Sequence, residues 1–195
     1  MKKEILEFGE LSFTQKEEAV ELFLDGFGKF MTFSKDEKLK KELFLQIFDP
    51  KLFFCYLEDK KVLGLMGIGT NKARPINFKK EVCQKLFGKI KGAIISAQMN
   101  ASFQKKVVKS EKELYLDTLV THPSFRSKGI GTAFIKKACS FESYDSIIVE
   151  VFSKNKKAIK FYEKNGFVIT KEHKLSIMRL LGSGYPILMT KRITC

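Results

Sequence analysis

The sequence predicts an α/β (α+β) fold, a sheet flanked by helices, from three observations. Two strand-then-helix units fill the second half of the chain, over 113–141 and 146–165. Two apolar runs at 51–58 and 61–70 flank Asp59-Lys60 and read as a hairpin. Two amphipathic helices with capping signals precede that hairpin. At 195 residues the chain can bury a full core as one domain without disulfide staples.

The elements follow in order. Ile5–Ser12 is the first strand. Thr14–Phe27 is a helix, capped by Thr14 with Glu17 and carrying Ala19, Leu22, Phe23 and Phe27 on one face. Ser34–Phe48 is a second helix, capped by Ser34 with Glu37 three on. Lys51–Glu58 and Lys61–Thr70 form the hairpin. A strand follows at Glu113–Thr121, with Leu114, Leu116, Thr118 and Val120 alternating against Tyr115, Asp117, Leu119 and Thr121. Pro123 stops it, because proline has no N–H to pair. From Gly129 the period turns helical, with Ile130, Ala133, Phe134, Ala138 and Phe141 on one face. A strand at 146–153, a helix at 155–165 capped by Asn155 and stopped by Gly166, and strands at 167–174 and 185–193 complete the chain.

The turn between strand and helix at 121–132 carries chemistry. Gly129 and Gly131 open the helix and leave backbone N–H groups uncovered. Those donors, the helix dipole and the flanking Arg126 and Lys128 suit a phosphate or pyrophosphate. Gly-x-Gly alone is more often an ordinary loop. It is not a Walker loop, since no Gly-Lys-Thr/Ser follows, and the third glycine of a dinucleotide fingerprint is absent.

A second block sharpens the reading. Arg126, Gly129 and Gly131 match Arg/Gln-x-x-Gly-x-Gly/Ala, and downstream Asn155, Ala158, Tyr162, Gly166 and Phe167 match Asn-x-x-Ala-x-x-x-Tyr-x-x-x-Gly-Phe. With both blocks in order and correctly spaced, the chain resembles the GNAT N-acetyltransferase superfamily. The tail Gly184-Tyr-Pro186-Ile-Leu-Met189-Thr-Lys191 is similar to that family's last strand, so the clear resemblance runs over roughly 113–191. It implies a mixed, mostly antiparallel central sheet whose fourth and fifth strands splay into a slot. It also implies acetyl-CoA as co-substrate, with no metal, and transfer of the acetyl group to a primary amine by direct attack in a ternary complex.

On that resemblance the donor is anchored by the backbone of Arg126, Ser127, Lys128, Gly129, Ile130, Gly131 and Thr132 around the pyrophosphate. The backbone of Leu119, Val120 and Thr121 pairs with the pantetheine arm like an added strand. The amide of Leu119 or Val120 holds the thioester oxygen. Tyr162 is the candidate general acid for the departing thiolate, a packed helix tyrosine being the plainer alternative. Asn155 either bonds the pantetheine or caps its helix. For the general base, Asp117 comes first, on the strand beside the slot and on the same face as Leu119. Glu150 comes second, a carboxylate in an otherwise apolar strand, where burial would raise its pKa. A water relay without a dedicated carboxylate stands beside them. His122 and His173 read as structural.

Residues 71–112 depart from the family pattern, which joins its third and fourth strands by a short loop. These 42 residues read as a basic, partly helical insertion over 78–108, either a lid on the acceptor end of the slot or a decoration packed on the sheet. The insertion holds ten Lys and one Arg against Glu81 and Glu111, so it carries +9 of the chain's +14. A solvated basic face ranks first for this charge, attraction to anionic CoA or an anionic acceptor second, and nucleic acid third, because Lys outnumbers Arg 32 to 4 and interleaved stacking residues are missing. A non-catalytic nucleic-acid-binding module or an acyl-CoA sensor on the same fold is the alternative function.

Four separated cysteines and two histidines argue against a zinc site and for a reducing compartment. No secretory apolar run follows Met1-Lys-Lys, and no segment spans a bilayer by length. The expectation is a cytoplasmic enzyme, monomer or homodimer, without membrane association.

Overall fold

The computed structural model describes residues 2–175 and 184–193. Seven strands form one sheet: β1 (Lys3–Glu7), β2 (Phe53–Glu58), β3 (Lys61–Gly69), β4 (Glu113–Thr121), β5 (Ser146–Phe152), β6 (Val168–Glu172) and β7 (Pro186–Arg192). Their spatial order is β1-β2-β3-β4-β5-β7-β6. Every neighbouring pair is antiparallel except β4 and β5. Six helices cover it: α1 (Phe13–Phe27), α2 (Glu37–Ile47), α3 (Lys80–Phe87), α4 (Lys89–Phe103), α5 (Ile130–Cys139) and α6 (Lys156–Lys164). No described helix is long and apolar enough to cross a membrane.

The expected order of elements and the helical insertion between the third and fourth strands are both present. Three local expectations shift. The first strand ends at Glu7, and Phe8–Glu10 turns into a short 3-10 segment. Helix α1 is capped by Ser12 with Gln15, not by Thr14 with Glu17: Gln15 N–H donates to Ser12 Oγ at 3.3 Å and Ser12 N–H to Gln15 Oε1 at 3.0 Å. Helix α2 starts at Glu37, because the Asp36 carboxylate accepts the Leu39 N–H at 3.0 Å and outcompetes Ser34 as a cap. The β2–β3 turn is as read, with Asp59 and Lys60 both at positive φ (48° and 70°), the geometry of a tight primed turn.

Two apolar clusters sandwich the sheet. On one face α1–α4 bury Phe23, Phe44, Phe48, Phe53 and Phe78, with the Phe48 and Phe53 rings stacked at 4.0 Å between centroids. On the other, α5 and α6 bury Phe134, Ile135, Tyr162 and Phe167 against Leu116, Ile147 and Val149. Each such aromatic pair adds about 0.5–1.5 kcal/mol beyond area burial.

The insertion is tied to the first cluster. Cys83 and Ile95 enter that core, and Ser96 and Asn100 of α4 clamp the backbone of Phe78. Gly92 lets α4 close on α3: a Cβ there would lie 2.3 Å from Cys83 O. Gly92→Ala should therefore cost about 2 kcal/mol or more, since backbone cannot give way cheaply. A lower midpoint in urea at unchanged slope checks this, and an unchanged midpoint refutes it.

Candidate active site

The slot begins where β4 and β5 part. They pair in parallel only over Glu113–Leu116 against Ser146–Val149. Beyond that point β4 stays with β3 up to Thr121, and β5 stays with β7 up to Phe152. The β5-facing edge of residues 117–121 is left without a strand partner.

A bulge shapes that edge. Gly67 pairs with Thr118 and Ile68 with Leu116, so Asp117 is the extra residue on β4. The bulge corrects the sequence reading of strict alternation. Leu114, Leu116 and Leu119 all belong to the cluster under α5, while Val120 belongs to the cluster under α1. Leu119 therefore does not share the side of Asp117, as alternation had placed it.

Backbone phase follows from one bond. His122 N–H donates to Leu63 O at 2.9 Å. Donors alternate along an antiparallel strand, so Val120 also turns its amide to β3, and Leu119 and Thr121 turn theirs into the gap. Of the two amides expected to meet a thioester oxygen, Leu119 is the one presented there.

The cavity at this gap holds about 930 Å³. Asp117, Glu150, Tyr115 and Tyr162 all line it, together with Leu119, Asn155 and Ala158. Arg74, from the insertion, is the residue the sequence reading missed. Its Nε donates to Asp117 Oδ2 at 3.0 Å, and its Nη2 lies 2.9 Å from the same oxygen. Its Nη1 donates to the Lys105 carbonyl and its guanidinium sits 4.7 Å from the Tyr115 ring centroid. Both contacts to Asp117 use Oδ2 and leave Oδ1 outside the pair.

Charge in the cavity is set by burial. Desolvation pushes the Asp117 carboxyl above the ordinary carboxylate range; Arg74 pulls it down, and Glu150 pushes it up further. The side chains of Arg74 and Asp117 are each only 10% exposed, which is why desolvation prevails over the ion pair. Burial likewise raises the Tyr162 and Tyr115 phenols above the usual tyrosine value. Glu150 differs from expectation. It is exposed, because its strand turns Ile147, Val149 and Val151 into the core and Glu150 toward the cavity.

Tyr162 is set by aromatic packing on α6, its ring 5.1 Å from Phe161 and 5.2 Å from Phe167. Asn155 caps α6, its Oδ1 accepting the Ala158 N–H at 3.1 Å. The 126–132 loop lies at the head of α5. Ser127 and Gly129 adopt positive φ (62° and 86°), so the chain reverses sharply before Ile130. No side chain caps α5, and a Cβ built on Gly129 would meet nothing within 4 Å. The first-turn amides thus face open space, which fits an anionic group. Arg126, Ser127 and Lys128 are exposed, with the Lys128 ammonium 4.4 Å from the Phe125 ring centroid. Gly131 has a different reason to be small: a Cβ there would lie 2.8 Å from the Phe161 ring, so it serves the contact between α5 and α6. His122 Nδ1 is buried without a hydrogen-bond partner. Among the described residues no group of three or more His, Cys, Asp or Glu is placed to hold a metal. Cys55, Cys83 and Cys139 are free thiols, and Cys195 lies outside the described residues.

A splayed mixed sheet with an uncapped helix N-terminus following β4 is the arrangement that the two sequence motifs imply. The acetyltransferase (GNAT) family model matches residues 17–167, and the chain belongs to that family. The fold is shared with Ard1 from Thermoplasma volcanium (18% identity, TM-score 0.59, 100% of both chains covered). It is shared also with an N-acetyltransferase from Staphylococcus aureus Mu50 (13%, 0.63, 96% of this chain and 99% of that one). A protein described as a streptothricin acetyltransferase from Bacillus anthracis str. Ames, in complex with acetyl coenzyme A, aligns over 73% of this chain and 62% of its own (16%, 0.50). No curated protein matches the chain.

Proposed function

We propose that the protein transfers the acetyl group of acetyl-CoA to a primary amine by direct attack in a ternary complex. The observation that carries this reading is the unpaired β4 edge at 117–121, with the uncapped α5 at one end and Asp117, Glu150 and Tyr162 around the cavity. The amides of residues 126–132 hold the pyrophosphate, and the pantetheine arm adds to the edge through Leu119 and Thr121. The Leu119 N–H receives the carbonyl oxygen as it gains charge. Asp117 is the base: through Oδ1, directly or by one water, it takes a proton from the incoming ammonium. The amine nitrogen then bonds to the carbonyl carbon, and the carbon–sulfur bond breaks. Tyr162 gives its proton to the departing thiolate; the new amide nitrogen sheds its remaining extra proton, which restores the Tyr162 phenol, and Asp117 releases its own proton to solvent.

Burial bears on both roles. A carboxyl raised by burial holds a proton more strongly than a free aspartate, so it is a better base. A phenol raised by burial stays protonated at neutral pH, so a proton is in place when the sulfur departs; the same shift makes it a weaker acid, so the transfer is coupled to breaking of the carbon–sulfur bond.

The test combines calorimetry with a thiol-release assay. Acetyl-CoA should bind wild-type protein, and an amine library should release CoA thiol. Ser127→Pro, at φ 62°, removes an N–H and imposes an incompatible φ on the anion loop. It should weaken acetyl-CoA binding at least about tenfold, with some loss of thermal midpoint and with circular dichroism showing the fold retained. Equal affinity in this variant would remove the anion loop from the reading. Gly131→Val is the poorer probe, because Phe161 would clash with it whether or not CoA binds there.

A further inference from the structure

The cavity has two unlike ends. Toward α6 it is polar, with Asn155, Tyr162 and the carboxylates. Toward α1 and the insertion it is lined by Phe27, Phe30, Met31, Met99 and Phe103. Phe27, Met99 and Phe103 are only half-buried, and Phe30 is 48% exposed. Four large apolar side chains left part-wet at the wall of one cavity are covered when an apolar ligand fills it. Met adds a surface that adapts to ligand shape.

Charge selects further. Arg74 and Asp117 offset one another. Glu150 is the remaining carboxylate on the cavity, exposed and without an ion pair among the described residues. One carboxylate matches one ammonium. Beyond it the surroundings are basic. Lys29 and Lys154 line the cavity, and the insertion that walls it carries +9 of the chain's +14. Such a field repels molecules bearing several positive charges and does little to an amine with a single one.

On the acetyl-transfer reading above, we infer that the acceptor is a monocationic primary amine on an aromatic or branched aliphatic body. Its ammonium meets Glu150, and its body lies against Phe27, Phe30, Met99 and Phe103. Polyamines and lysine-rich peptides are poor acceptors. The insertion is thereby a specificity wall: Arg74, Met99 and Phe103 bring it to the acceptor end of the cavity, and its lysines discriminate by charge.

The experiment measures CoA thiol release with acetyl-CoA and three acceptors: 2-phenylethylamine, spermidine and a lysine-rich peptide. The kcat/KM for 2-phenylethylamine should exceed that for spermidine about a hundredfold at low salt. The gap should narrow as salt screens the lysines, since the Debye length falls to about 3 Å at 1 M. Phe30→Ala should raise KM for 2-phenylethylamine about tenfold with kcat and acetyl-CoA affinity little changed. Glu150→Gln should raise KM for the same acceptor with its thermal midpoint retained. Faster turnover of spermidine or the peptide overturns the acceptor class and leaves acetyl transfer standing. Absence of thiol release with these three and with every other amine tried overturns the acetyl-transfer reading and this inference with it.

Discussion

Tyr162→Phe is expected to lower kcat for acetyl transfer about a hundredfold or more while acetyl-CoA affinity stays near wild type. The substitution keeps the ring, and with it the contacts to Phe161 and Phe167 at 5.1 and 5.2 Å. Only the hydroxyl is lost. Burial raises that phenol, so in the wild type it enters every turnover protonated. The thiolate leaving the tetrahedral intermediate then finds a proton donor inside the cavity and need not wait for water. Without the donor, expulsion of the sulfur becomes the slow step. Single-turnover kinetics should therefore show the loss in the chemical step, and acceptors with more nucleophilic amines should not restore it. Calorimetry separates the rival role. Equal kcat with weakened acetyl-CoA binding would make the hydroxyl an anchor for the donor. Wild-type values for both would reduce Tyr162 to packing.

Most of this architecture was legible in the sequence for a physical reason. Strands such as β4, with apolar residues on both faces and a proline stop, and helices such as α5 and α6, with a glycine at one end, carry their boundaries in local chemistry. The caps of α1 and α2 moved by two residues because Ser12, Thr14, Ser34 and Asp36 all qualify as caps, and only packing chooses among them. The bulge at Asp117 was not legible. A register slip depends on the partner strand, and nothing in residues 113–121 alone announces it. The partner of Asp117 was readable in part. Arg74 is the one arginine among the eleven basic residues of the insertion. In a chain that otherwise uses lysine, a planar fork marks a place where a carboxylate is gripped. Which carboxylate, 43 residues away, only the fold decides.

Asp117→Asn should lower kcat/KM for the amine about 10²- to 10⁴-fold, the range for loss of a general base. The amide can still accept from Arg74 through its carbonyl oxygen, so the cavity wall keeps its shape, but it cannot take a proton. Circular dichroism and acetyl-CoA affinity near wild type would establish that the fold is intact. The pH profile is the sharper reading. In the wild type burial raises Asp117, so the acid limb of kcat/KM should lie above the ordinary carboxylate range. Below that limb the carboxyl is protonated and cannot act; above it activity plateaus. Arg74 lowers the same group, both by its charge and by its hydrogen bonds. Arg74→Ala should therefore move the limb to higher pH and reduce the rate at neutral pH, with recovery on raising the pH. Stability shifts in the opposite sense to activity. A carboxyl whose folded pKa is raised stabilises the fold fully below its unfolded pKa, and that contribution is lost as pH rises through the folded value. Asp117→Asn should abolish this part of the pH dependence of unfolding. A variant that loses activity with an unmoved acid limb would assign the base to Glu150 or to a water relay, and leave the pair of Arg74 and Asp117 as the brace that holds the bulge.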